Sequence, residues 1–395
     1  MKNSEFSEYE DQLENDEDLG ALEQTSISSA VLSGNDWTVE TIISQINKGN
    51  IQLNPKFQRR DAWDKGRKSK YIESLILGLP VPQIVLAESK ERRGSYIVLD
   101  GKQRLLSIRQ FAALQDDPLY NTLKLSKLEI RHDLSGLNLE GLRNSLDHYD
   151  DLSSFENQPI RTVVIKNWPT EEFLYHIFLR LNTGSVPLSP QELRQALHPG
   201  NFVSFLDEAS SESNSIREIL NISKPDFRMR DAELLLRYIA FKNYLDQYTG
   251  GLKQFLDETC KKLNLNWDEK CQLLRNQVVE LEASHTATKS IFSQNSYRKW
   301  VDGNYETRFN RAIFDIMTLT FSQEESRVAA RGKEALIEAA FKDLCMTNAD
   351  FKTSIESTTK SLGATHTRIS VWSRKLNEVL GTTMHVPELR DNRII

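Results

Sequence analysis

Between residues 96 and 106 the chain reads Tyr96-Ile97-Val98-Leu99-Asp100-Gly101-Lys102-Gln103-Arg104-Leu105-Leu106, a β-rich run that ends in Asp-Gly and passes at once into a helical pattern. Lysine and arginine in a first helical turn oppose the helix dipole, whose N-terminal end is already positive. Their placement makes physical sense when an anion shares the site. Free backbone N–H groups would bond phosphate oxygens, Lys102 and Arg104 would neutralise their charge, and Gln103 stands between them. Gly101 lets the backbone turn tightly and approach the ligand. Asp100, at the carboxyl end of the strand, suits a magnesium ion or a water held over the phosphates, which makes Asp100 and Arg104 the candidate catalytic residues. The same residues also suit a plain β-turn with solvated cations, and on residue types alone both readings stand open.

The elements that must position this turn follow from the patterning around it. Thr38 is placed to cap a short helix running to about Asn47, and residues 51–54 suggest a short strand. Lys56 to Lys70 holds seven basic residues and two aspartates and leads into a helix over Lys65–Leu77 whose apolar face is Tyr71, Ile72, Leu75 and Ile76. Gly78, Pro80 and Pro82 end it. Strands are expected at Gln83–Ala87, Tyr96–Leu99, Lys127–Arg131 and Ile160–Ile165, with a helix over Gln103–Leu114. After Pro190 the pattern is almost entirely helical, with helices expected at 231–248, 252–262, 268–283, 304–320, 333–345 and 366–380. The expected fold class is therefore α+β: a small α/β head followed by an all-helical C-terminal body. The expected domains are a leader over 1–35, a head over 36–190 and a helical domain over 191–395.

Composition narrows the class. The chain has 395 residues, 39% hydrophobic and 27% charged, which is ordinary for a globular protein. Its apolar runs are too short to span a bilayer and its N-terminus is no signal or transit peptide, so a cytoplasmic, non-membrane protein is expected. Three cysteines, Cys260, Cys271 and Cys345, show no Cys-x-x-Cys spacing, against a zinc site or a disulfide framework. Residues 1–24 hold nine carboxylates against Lys2, a net of −8, which leaves about +2 of the chain's −6 for the remainder. Such a leader reads as a disordered solvated segment, with a DNA mimic or self-inhibitory arm as the other reading.

The turn resembles the Asp-Gly-Gln-Gln-Arg signature of the ParB/sulfiredoxin-like family that forms the N-terminal part of GmrSD restriction enzymes (domain of unknown function 262). Other segments are similar to that family in the same order. Phe57-Gln58-Arg59-Arg60-Asp61-Ala62-Trp63 resembles its entry motif, and Tyr71–Pro82 its helix and Leu-Pro-Ile-Pro turn. Phe178–Gly184 with Leu188–Arg194 resembles its second block, and Phe227–Tyr238 a later segment. The blocks span about residues 38–240. Lys102 stands where the family has its first glutamine, and no cysteine lies between residues 100 and 105, so sulfiredoxin chemistry does not carry over.

The resemblance implies binding, and often hydrolysis, of a nucleoside triphosphate with Mg2+ at Asp100. It further implies that Gln58 and Arg59 reach the nucleotide with Gly101, Lys102 and Gln103, and that Asn182, Thr183, Glu192 and Arg194 line the pocket. Ser189-Pro190-Gln191-Glu192 is in its own right a capping box that fixes a helix start. The basic cluster Lys65, Arg67, Lys68 and Lys70 either tracks DNA phosphates or is a solvated helix face. Asp231 is a plausible N-cap, and Arg228, Arg230 and Arg237 either pack against the head or bind nucleic acid. The seven histidines are scattered, and no HNH nuclease motif is expected. The implied partners are DNA, plain or modified, a separate nuclease subunit and further copies of the chain itself. Set against an NTP-hydrolysing defence component are a non-hydrolysing DNA-binding or adaptor protein and a weak ParB-like DNase.

Overall fold

The computed structural model describes residues 30–51, 53, 60–181, 189–357 and 359–395. Residues 1–29 of the expected leader, Gln58, Arg59, Asn182 and Thr183 lie outside the described residues. The chain divides into two compact units that meet between Leu197 and His198.

The first unit is built on a four-stranded mixed sheet of order β1-β4-β2-β3, with β1 Val31–Thr38, β2 Ile84–Glu88, β3 Tyr96–Asp100 and β4 Pro159–Lys166. β1 runs antiparallel to β4, β4 parallel to β2, and β2 antiparallel to β3. Central strand β2 reads Ile84-Val85-Leu86-Ala87, all buried, as a strand covered on both faces should. The expected leader overruns into β1, because residues 31–35 pair with residues 162–166 along β4. α1 (Val39–Asn47) starts at Thr38, whose hydroxyl accepts the Thr41 N–H as expected. α2 (Lys65–Ile76) starts at Asp64, whose carboxylate accepts the Arg67 N–H at 2.7 Å. α3 (Lys102–Phe111), α4 (Leu139–Arg143) and α5 (Tyr149–Asn157) follow, then α6 (Glu171–Leu181) and α7 (Pro190–Leu197). The core joins Val39 and Ile42 of α1, Ile72 and Leu75 of α2, Leu105, Leu106, Ile108 and Phe111 of α3, and Phe155 of α5.

The strand expected at Lys127–Arg131 is not formed. Lys127 has φ +56°. The N–H groups of Glu129, Ile130 and Arg131 instead donate to the buried carboxylate of Glu73 at 3.1, 2.8 and 2.7 Å. Donors committed to a side chain cannot also serve a ladder.

The second unit is mostly helical. Its elements are α8 (Asn201–Glu212), α9 (Asn214–Leu220), α10 (Arg230–Tyr244), α11 (Leu252–Leu265), α12 (Trp267–Phe292), α13 (Arg311–Phe321), α14 (Glu324–Ala330), α15 (Glu334–Thr347), α16 (Ala349–Glu356) and α17 (Leu362–Leu380). Two short hairpins depart from an all-helical body: Trp300–Val301 with Asn304–Tyr305, and Leu389–Arg390 with Arg393–Ile394. The first replaces the start of the helix expected over 304–320, because Asp302 and Gly303 both take positive φ (47° and 88°), the conformation of a two-residue hairpin turn. α10 is buried along most of its length. Met229, not Asp231, precedes its first turn, and Asp231 instead accepts the Asp226 and Ala232 N–H groups at 3.3 and 2.9 Å. Arg237 grips Asp315 with Nε and Nη2 at 2.5 and 2.6 Å, and Arg368 Nη2 adds a third bond at 2.9 Å. Arg230 pairs with Asp226 at 2.5 Å.

Candidate functional site

The strand β3 delivers Asp100 through an irregularity. Val85 faces Asp100 but the next pair is Leu86 with Val98, so Leu99 is an extra residue on β3 immediately before the turn. Bulges of this kind increase local twist and re-aim the residue that follows. Gly101 then takes φ +97° and serves as N-cap of α3, which no side chain caps. A Cβ at Gly101 would lie 3.1 Å from Ile84 Cγ1 and 3.3 and 3.4 Å from Nη2 and Nε of Arg104. The guanidinium of Arg104 is therefore folded back over the glycine at the mouth of the helix.

There Arg104 Nη2 donates to Asp100 Oδ2 at 2.7 Å and to the Gln83 carbonyl at 2.9 Å. Asp100 Oδ1 accepts the Gly101 N–H at 2.7 Å. Arg104 Nε and Gln103 Oε1 are buried with no hydrogen-bond partner among the described residues. Arg104 is only 6% exposed, and a charged donor buried in that state is costly unless something accepts from it. Tyr71 of α2, whose hydroxyl is also buried without such a partner, lies within electrostatic range of Arg104. Burial pushes the Tyr71 phenol well above its ordinary range, so it stays protonated and able to donate.

Lys102 is buried and bonds Glu192 Oε1 at 2.5 Å. The other oxygen of Glu192 accepts the Ser189 N–H at 2.8 Å while the Ser189 hydroxyl accepts the Glu192 N–H at 3.1 Å, so the capping box is formed. Glu192 thus does two tasks, starting α7 and binding Lys102. Arg194, on the same helix, is wholly buried and donates Nη1 to Gln191 Oε1 at 2.7 Å. Asp100, Gly101, Lys102, Arg104 and Glu192 are in this way joined at the N-terminus of α3.

The basic stretch of α2 is not one face. Arg67 lies over the Trp63 ring at 4.8 Å, and Lys70 pairs with Glu129. Lys68 is buried, bonded to Asp61 and, at 2.7 Å, to Gln110 Oε1 of α3. Lys68, expected to track DNA phosphates or to lie on a solvated face, is thus turned inward, and the sequence reading gave Asp61 and Gln110 no role. The signal was present, since Lys68 is four residues before Ile72 and seven before Leu75 and so lies on the apolar face.

Such a site can hold an anion. An acceptor oxygen beside Arg104 Nε would meet a helix N-terminus, a guanidinium and a glycine cradle together. Asp100, with a quarter of its side chain exposed, offers the hard oxygen donor that a divalent cation prefers. Among the described residues no helix is long and apolar enough to cross a membrane.

No curated protein and no solved structure matches the chain. Residues 39–199 match the family model described as GmrSD restriction endonuclease, N-terminal domain. That span runs from the first residue of α1 to just beyond the last of α7 and contains every residue of the Asp100–Glu192 cluster. Over residues 39–199, and so across the whole Asp100–Glu192 cluster, the chain is similar to the N-terminal domain of GmrSD restriction endonucleases.

Proposed function

We propose that the first unit binds a nucleoside triphosphate by its phosphates at the N-terminus of α3 and hydrolyses it, as the nucleotide-handling component of a DNA restriction or defence system. The observation that carries this reading is the buried Arg104 guanidinium folded over Gly101, with Nε unaccepted among the described residues, at a helix start that no side chain caps. Arg104 and Lys102 would neutralise phosphate charge, and the first-turn N–H groups of α3 would bond phosphate oxygens. To do so, Arg104 exchanges Asp100 for phosphate and Lys102 exchanges Glu192, which frees one carboxylate oxygen on each acid. Asp100 would then hold a magnesium ion, which when bound supplies further neutralisation of the phosphates. Gln58, Arg59, Asn182, Thr183 and Arg194 complete the proposed nucleotide set. DNA, and a nuclease carried on a separate subunit, are the proposed partners.

The experiment is to incubate purified protein with each nucleoside triphosphate and magnesium, with and without modified and plain DNA. Phosphate release that is lost in Asp100→Ala and Arg104→Ala, both still folded, supports the reading. Strand cleavage without nucleotide would indicate a DNase, and a DNA shift alone a binding or adaptor protein. Wild-type turnover in both variants would overturn the site assignment.

A further inference from the structure

Between α2 and the last turn of α3 lies a second buried charge pair that the proposed phosphate contacts do not use. Lys68, 5% exposed, projects from the inward face of α2 and is held between Asp61 Oδ2 and Gln110 Oε1. The other carboxylate oxygen, Asp61 Oδ1, is buried with no hydrogen-bond partner among the described residues. An acceptor in that position is costly unless a donor fills it. The groups facing this carboxylate are Lys68 from α2 and Gln110 and Lys102 from α3, the last within electrostatic range. In the sequence Asp61 stands two residues after Arg59. Burial raises its pKa above the ordinary aspartate value, against the bond and charge of Lys68, the bond of Gln110 and the charge of Lys102. That is the direction in which a carboxylate becomes a better proton acceptor.

We propose that Asp61 is the catalytic residue that accepts the proton of the attacking water in the hydrolysis described above, with Lys68 as its positioning residue. The assignment rests on the nucleotide reading and extends it. In the step, the water oxygen forms a bond to the terminal phosphorus as the bond from that phosphorus to the bridging oxygen breaks. The electron pair leaves on the nucleoside diphosphate. The water's proton passes to Asp61 Oδ1 and is then given up to the departing inorganic phosphate. Lys68 fixes Oδ2 and so leaves Oδ1 as the free basic atom. Gln110 holds the ammonium from the other side.

The test measures nucleotide binding and phosphate release by the full chain in wild type, Asp61→Asn and Asp61→Glu. Asp61→Asn should lower kcat about 100-fold or more, the scale of a lost general base, while nucleotide affinity changes less than about threefold, a small step on the free-energy scale. The acidic limb of the kcat–pH profile should vanish in Asp61→Asn, and Asp61→Glu should restore part of the rate. Because Asp61→Asn leaves a buried ammonium without its counter-charge, the double variant Asp61→Asn/Lys68→Met is measured beside it. That variant should melt near wild type and remain inactive. Wild-type kcat in either variant, or equal losses in binding and turnover, would overturn the assignment. Full activity in Asp61→Asn with none in Arg104→Ala would remove Asp61 and leave the nucleotide site standing. A wild-type protein that binds nucleotide without releasing phosphate would remove the hydrolysis reading and Asp61's role together.

Discussion

Replacing Glu192 by glutamine tests the contact that ties α7 to the mouth of α3. Lys102 and Glu192 are 7% and 6% exposed and 2.5 Å apart. Removing one partner of a buried pair strands the other charge, at a cost of about 3–5 kcal/mol. Glutamine keeps a carbonyl oxygen that can still accept from Ser189, so the cap survives and the loss should fall near the lower end, about 3 kcal/mol. That is a large share of the roughly 5–15 kcal/mol that holds a domain together. Lys102→Gln alone strands the carboxylate and should cost a similar amount. The double variant places two neutral amides face to face and should cost no more than either single change, about 3 kcal/mol, giving a coupling of about 3 kcal/mol. Urea unfolding of the four proteins, with amide hydrogen exchange across α3 and α7 to report on this unit, completes the cycle. A coupling below about 0.5 kcal/mol, the size expected of independent sites, would refute the claim that these two charges hold each other.

Gly101→Ala places a side chain at φ +97° and within 3.1 Å of Ile84 Cγ1. It should cost about 1–2 kcal/mol in the melting of this unit from the left-handed backbone alone, and should weaken nucleotide binding by displacing Arg104. In the helical unit, Asp315→Asn leaves Arg237 and Arg368 buried with no carboxylate in the triad, and unfolding experiments should show a loss of about 3–5 kcal/mol. Glu73 supplies a pH prediction. Burial pushes its pKa up, but the N–H bonds from Arg131, Glu129 and Ile130 outweigh this and hold it below the ordinary value of 4.5. The unfolded state therefore takes up the proton first as pH falls, so the stability Glu73 contributes is complete above about pH 4.5 and is lost as pH drops through the lower folded-state pKa. Glu73→Gln should flatten the acid limb of a stability–pH curve, and an unchanged slope would contradict this.

How much of this could be read from the sequence follows from the range of each interaction. The turn at Asp100 and the capping box at Ser189–Glu192 are local, and residue types three or four apart set both. The Asp100–Arg104 pair is likewise an i,i+4 contact, though the pattern does not say that the guanidinium folds back over Gly101. Lys102 with Glu192, 90 residues apart, and Lys68 with Gln110 are products of tertiary packing that periodicity does not encode. The Lys127–Arg131 segment reads as a strand by its apolar alternation, but a distant carboxylate takes its N–H groups. β1 was concealed for a related reason. Its mixed Val31-Leu32-Ser33-Gly34-Asn35-Asp36 run lacks strand alternation, and pairing with β4 imposes the extended form.

The central claim places nucleotide phosphates on the first turn of α3, and hydrogen exchange at the Lys102, Gln103 and Arg104 amides tests that placement most directly. Exchange is measured with and without saturating nucleoside triphosphate and magnesium. The account predicts that these amides slow markedly with nucleotide in the wild type and do not slow in Arg104→Ala. Unchanged exchange across residues 100–106 in a protein that binds nucleotide would put the phosphates elsewhere and contradict it.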